Sequence, residues 1–245
     1  IDCNSRLLNL MNLHHVDGLV TGILTHFLAS SSLYRIRNFS FFDTDSIINN
    51  THQHNATHLL APPTVFNVLV SKSDKKIETL KNSSLKIPIA TAAPLPESTE
   101  DLWLKKTNTH LGNLYGMTEI GNLIFNIPTK NHSPHKLGQA RGCETIILSC
   151  DNKKSRTGEL HIRGPSITSG YINHQLDWVT YDSKQWFATG DLVSLDDENF
   201  FTIQGRKNDL IVCGGYNISP QIINNTLLKQ DNVKEAATIS VSDSI

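Results

Sequence analysis

Residues 187–215 read FATGDLVSLDDENFFTIQGRKNDLIVCGG. The runs LVSL and FFTIQ carry alternating apolar residues on either side of the turn-forming tetrad DDEN, a pattern that predicts a tight β-hairpin. Asp191 and Arg206 each stand beside a glycine at the open end of that hairpin, so closing it brings a carboxylate and a guanidinium to one edge. One reading of the pair is a strand-end salt bridge, a common feature that contributes little when exposed. The other is a grip on a single ligand, and the surrounding sequence has to decide between them.

Downstream of Arg206 the pattern predicts a strand LIVCGG, a helix from about Pro220 to Lys229 and a strand AATISVS. Upstream, to about residue 130, the short runs ETIILS and GELHIRG are separated by Gly, Pro and Asn and show little helical periodicity, which predicts an antiparallel β subdomain. Between residues 18 and 110 the texture alternates helix with strand, the mark of an α/β layered domain with a largely parallel sheet. There GLVTGILTHFL places Leu19/Val20, Ile23/Leu24 and Phe27/Leu28 at helical spacing, as a helix facing a core. THLLAPP reads as a buried strand, with Thr64 as cap of the helix TVFNVLVS, and LKIPIATAA as a second strand before a helix carrying Leu102 and Trp103. The expected organisation is an α/β part over 1–130, a β subdomain over 131–206 and the start of a small α+β lid over 207–245.

The chain has 245 residues, 38% hydrophobic and 18% charged, with a formal net charge of −1, which suits an ordinary globular protein. No Lys/Arg-rich run stands out, which argues against a nucleic-acid binder or a polybasic membrane anchor. No apolar run is long enough for a spanning helix and no signal peptide opens the sequence. Cys3, Cys143, Cys150 and Cys213 lack CxxC spacing, so free thiols in a reducing, cytoplasmic compartment are expected.

Four glycine-containing stretches stand in order: LGNLYGMTEIG (111–121), TGELHIRGPSITSGYIN (157–173), WFATGDL (186–192) and GRKNDLIVCGGYNISP (205–220). With NLHHVDGL (12–19) and ATAAPLP (90–96) upstream, this series resembles the adenylate-forming superfamily of acyl-CoA synthetases, peptide-synthetase adenylation domains and beetle luciferases, most closely an acid:CoA ligase. The residue chemistry agrees with what the resemblance implies. Tyr115 offers a face for adenine, and Gly116 permits close backbone approach. Thr118 supplies a hydroxyl for phosphate, and Glu119 a hard carboxylate for Mg²⁺. Asp191 can accept from two ribose hydroxyls, and Arg206 can bond the ribose or neutralise phosphate.

The resemblance implies ATP and AMP as nucleotides, Mg²⁺, and CoA or a phosphopantetheine thiol as acceptor. It places Ala92 and Ala93 on the adenine side, where relatives have glycines, and His15 near the acyl carboxylate, a position open equally to a structural histidine. His15 stands where amino-acid-activating relatives place Asp, which favours a substrate without an α-amine. Asn208 falls at the hinge of the lid, with Gly214 and Gly215 on the loop that follows. Relatives also carry a glycine-rich, lysine-ended phosphate loop and a lid lysine, and neither motif is found in residues 1–245. The expectation is therefore an internal fragment of a ligase that does not turn over by itself. Two alternatives stay open: an amino-acid adenylation domain, and a non-catalytic nucleotide- or acyl-binding protein.

Overall fold

The computed structural model describes residues 1–36, 40, 43–128, 132–182, 184–230, 232–233 and 236–241. Two compact units divide the chain, Ile1–Arg141 and Gly142–Ile245.

The first unit opens with β1 (Arg6–Asn9), a wide π-type helical segment Asp17–Leu24 that runs into α1 (Thr25–Leu28), and β2 (Ser32–Tyr34). Then come α2 (Thr44–Gln53), β3 (His58–Ala61), α3 (Pro63–Val70), α4 (Asp74–Lys81), β4 (Ile87–Thr91), α5 (Glu97–Thr107), β5 (Gly112–Met117), β6 (Gly121–Asn126) and β7 (Gln139–Ala140). The seven strands form one sheet in the order β2-β1-β3-β4-β5-β6-β7. Strands β1 to β5 pair in parallel, and β6 and β7 close the edge antiparallel. All four residues of β3 are buried, as a parallel strand covered on both faces requires.

On one face Leu8, Leu59 and Ala61 pack against Ile47 and Ile48 of α2, Val65, Phe66 and Leu69 of α3, Leu80 of α4 and Trp103 of α5. Phe66 meets the Trp103 ring edge-on at 5.2 Å. The other face carries a smaller cluster of Leu7, Met11, Leu60 and Leu114. Helix α3 begins one residue before Thr64, with Pro63 in its first turn and Pro62 at the cap. Proline's fixed φ starts the helix, so Thr64 lies inside it and caps nothing.

The segment after β1 is helical as its spacing predicts, but it faces the other way. Asp17, Gly18, Gly22 and His26 are buried, whereas Leu19, Val20 and Leu24 are near 45% exposed and Phe27 and Leu28 are 80% and 82% exposed. The reason is close approach: a Cβ on Gly22 would come within 2.0 Å of the Asn9 side chain, so the small residues have to face the sheet.

The second unit holds β8 (Glu144–Leu148), β9 (Thr157–Arg163), β10 (Gly170–Ile172), β11 (Trp178–Thr180), β12 (Phe187–Leu195), β13 (Phe201–Arg206), β14 (Ile211–Cys213), β15 (Tyr216–Ile218) and α6 (Pro220–Leu228). Strands β13-β12-β9-β8 make an antiparallel sheet, and β10/β11 and β14/β15 are separate hairpins. The predicted hairpin is β12–β13. Its turn is tied by Asp196, whose Oδ1 accepts from the backbone N–H groups of Glu198 (3.1 Å) and Phe200 (2.8 Å). The predicted strand AATISVS does not form over 236–241, and its last residue lies outside the described residues. Ile239 and Val241 are 77% and 82% exposed there, with no described strand alongside to pair with.

Candidate functional site

In the first unit the β5–β6 hairpin carries the YGMTE motif. Tyr115 lies opposite Ile124, Gly116 opposite Asn122 and Met117 opposite Gly121, with a register shift between Tyr115 and Gly116. A Cβ on Gly116 would come within 2.3 Å of the Gly121 carbonyl oxygen, so glycine here serves the approach of β6 to β5. Thr118 is exposed and Glu119 half-buried in the turn, which fully buried Ile120 anchors.

Strand β4 pairs with β5, and the Thr91 hydroxyl donates to the Leu114 carbonyl at 3.3 Å. Ala92 and Ala93 are therefore the exposed residues just past the C-terminal end of β4, beside the strand that carries Tyr115. Ala92 has φ +68°, in the left-handed region that favours glycine. This conformation gives a physical reason for the glycine that the resemblance implies at this position.

His15 joins the same edge through two residues that had no assigned role. Its Nδ1 lies 3.1 Å from Oδ2 of Asp17, whose carboxylate is buried. Oδ1 of Asp17 accepts from Nδ2 of Asn122 at 2.5 Å, and Asn122 Nδ2 also reaches the Thr21 hydroxyl at 2.7 Å. Asn122 is the residue opposite Gly116. His15, Ala92, Ala93 and the residues from Tyr115 to Glu119 are thus gathered where the parallel strands end, the edge at which open α/β sheets hold ligands. Asp17 and Asn122 could not be found by pattern, because they are 105 residues apart and each looks unremarkable alone.

In the second unit Asp191 and Arg206 are register partners, and Nε of Arg206 lies 3.1 Å from Oδ1 of Asp191. The Asp191 side chain is 6% exposed and that of Arg206 64%, so the guanidinium can reach solvent or a ligand while the carboxylate stays fixed. Thr189 orients the turn before it: its hydroxyl donates to the Leu160 carbonyl at 2.8 Å and accepts from the Asp191 N–H at 3.1 Å. The pair is the strand-end ion pair of the simpler reading, and its exposed side also suits a polyhydroxyl or anionic ligand. Asn208 lies exposed in a single 3₁₀ turn, Lys207–Asp209, directly after β13.

Among the described residues no three His, Cys, Asp or Glu side chains converge on a metal position. A lone carboxylate such as Glu119 fits Mg²⁺ that takes its other ligands from phosphate and water, and does not fit a metal caged by protein alone. None of the four cysteines is in a disulfide. No helix among the described residues is long and apolar enough to cross a membrane.

The chain is 27% identical to 4-coumarate–CoA ligase 3 of Oryza sativa subsp. japonica over 98% of its length and 44% of the relative's. It is 30% identical to 2-succinylbenzoate–CoA ligase of Bacillus pumilus over 82% of its length and 41% of the relative's. The crystal structure of ATP-bound MatB from Rhodopseudomonas palustris superposes with a TM-score of 0.84 at 25% identity, covering 97% of this chain and 47% of that one. The chain spans less than half the length of these relatives. The family model described as "AMP-binding enzyme" matches residues 2–172, so the likeness takes in the whole His15–Asp17–Asn122 edge and the YGMTE hairpin. The chain belongs to the AMP-binding enzyme family.

Proposed function

We propose that this chain is the nucleotide-gripping part of an acid:thiol ligase. In the reaction a carboxylate oxygen attacks the α-phosphorus of ATP, forming an acyl-adenylate and expelling pyrophosphate. A thiol, of CoA or a carrier-bound phosphopantetheine, then attacks the acyl carbon and AMP leaves. The observation that carries this reading is the family match over residues 2–172, joined to relatives that are CoA ligases.

Within it, Tyr115 and the Ala92–Ala93 turn flank the adenine, and Gly116 and Thr118 face the phosphate. Asp191 and Arg206 take the ribose. Glu119 would supply the one protein ligand to Mg²⁺, whose chemistry there is to neutralise phosphate charge. His15 stands beside the acyl carboxylate, oriented by Asp17. Because the Asp17 carboxylate is buried and hydrogen-bonded to Asn122, it offers nothing to a substrate ammonium, which favours an acid without an α-amine over an amino acid. Residues 207–245 begin the lid that pivots at Asn208, and a cytosolic setting suits the free thiols.

The chain is expected to bind AMP more tightly than ATP, because adenosine and metal grips are present without a lysine-bearing phosphate loop, and to show no acid-dependent pyrophosphate exchange by itself. Titration calorimetry with each nucleotide tests this. Asp191→Ala is expected to weaken AMP binding by about 1–3 kcal/mol, the cost of leaving ribose hydroxyls unpaired. Tighter ATP than AMP, or an unchanged Kd in Asp191→Ala, would sink the reading.

A further inference from the structure

We propose that Glu159 is a positioning residue that, through Lys207 on one side and the Gly190 amide on the other, sets the geometry of the Asp191–Arg206 pair. Nζ of Lys207 lies 2.8 Å from Oε2 of Glu159, and Nε2 of His161 lies 3.6 Å from the same oxygen. The Gly190 N–H faces the same carboxylate. Glu159 is only 14% exposed, and its burial alone would raise its pKa. The hydrogen bond and charge of Lys207, with His161 and the Gly190 amide, hold it below the usual range instead. It therefore stays an anion inside the sheet. Lys207 directly follows Arg206, and Gly190 directly precedes Asp191. One carboxylate thus holds the neighbour of each member of the pair.

The sheet needs such a tie at this point because its ladder fails here. Pairing of β12 with β9 is irregular between Ala188 and Leu192, and pairing of β12 with β13 shifts between Leu192 and Val193. Residues 189–191 therefore cross a bulge relative to β9, with Gly190 at φ +74°, and only the pairing of Asp191 with Arg206 on the β13 side remains. Arg206 is the last residue of β13, and its own side chain is mostly exposed. Leu192 is the register partner of Glu159, and Asp191 of Arg206, so Glu159 and Asp191 sit at adjacent levels of the sheet and project to opposite faces of it, and the link between them runs through the backbone at Gly190 and Lys207. The Thr189 hydroxyl bonds the Asp191 N–H where pairing with β9 lapses, and the Glu159 carboxylate, fixed by Lys207, attracts the Gly190 amide just before it.

The consequence for nucleotide binding rests on the function proposed above, so the experiment reads geometry and binding separately. In the 245-residue chain, the Arg206 Nε resonance and the Asp191 amide are followed by ¹⁵N NMR in Glu159→Gln, Lys207→Met and Lys207→Arg, and AMP is titrated into each by calorimetry. The Lys207 ammonium bonds Glu159, whereas the Arg206 Nε pairs with Asp191 and the Asp191 amide bonds Thr189, so their movement in Lys207→Met reports transmitted position. The expected result is displaced resonances and an AMP Kd raised roughly three- to tenfold in Glu159→Gln and Lys207→Met, with Lys207→Arg restoring both. If the wild-type chain takes up no AMP, the nucleotide reading falls while the resonances still decide the positioning role. Wild-type resonances in both Glu159→Gln and Lys207→Met overturn the proposal, whatever the affinities. Displaced resonances with unaltered AMP affinity overturn its consequence for binding.

Discussion

His58 lies in β3, inside the parallel sheet and only 8% exposed, with Nδ1 bonded to the Thr57 hydroxyl at 2.8 Å. Burial depresses its pKa from 6.5 to about 4, and the chain's amino group and His26 add to the effect. A depressed pKa means that the folded state keeps this ring neutral over a range in which the unfolded chain protonates it. The stability it protects is intact above pH 6.5 and is lost as pH falls towards 4. At about 1.4 kcal/mol per unit, the loss over that interval is about 3 kcal/mol. His26 and His132, also depressed by burial, add to the same slope, whereas buried Glu100, raised by burial, opposes it in the carboxylate range.

The perturbation that isolates His58 is His58→Gln, and the diagnostic is the change in slope between pH 7 and 4, not the level at pH 7. Urea unfolding at each pH, in a Trp178→Phe/Trp186→Phe background, leaves fully buried Trp103 to report on the unit that contains His58. Relative to the parent, His58→Gln should keep about 3 kcal/mol more of its neutral-pH stability on reaching pH 4. Equal slopes in the two proteins, or a His58 ring proton that titrates near 6.5 by NMR, would falsify the reasoning.

Two further substitutions test the site's backbone. Ala92→Gly relieves the left-handed strain after β4 and should raise stability by about 0.5–1 kcal/mol, seen as a higher urea midpoint; a lower midpoint contradicts the assigned conformation. Gly116→Ala drives a methyl group into the Gly121 carbonyl and should cost about 1–3 kcal/mol, with the amides of β6 shifted in NMR spectra; an unaffected protein means that β5 and β6 lie farther apart than described.

The elements that could be read from sequence were those whose partners are near in the chain. The β12–β13 hairpin follows from alternation around DDEN, and the parallel sheet from alternating strand and helix. The 17–28 segment was legible as a helix and illegible in orientation, because apolar spacing marks a face without saying what that face meets. AATISVS has strand composition, yet a strand also needs a neighbour, which composition does not supply. Of the site, the motif residues stood out by type and order. Asp17, Asn122, Glu159 and Lys207 did not, since each is paired with a residue brought close only by the fold.

The turn at Asp196 bears on when each unit acquires its paired residues. Asp191 and Arg206 are fifteen positions apart in a hairpin whose turn is tied by its own side chain, and hairpins of this kind close in about 1–10 μs. The link from Asp17 to Asn122 spans 105 residues and requires the intervening parallel strands to be in register. Order of assembly is thereby written into loop length: the Asp191–Arg206 pair of the second unit can be in place while the Asp17–Asn122 link of the first is still unformed. Pulse-labelling hydrogen exchange during refolding should accordingly protect the amides of Val193 and Ile203 before those of Leu114 and Ile124.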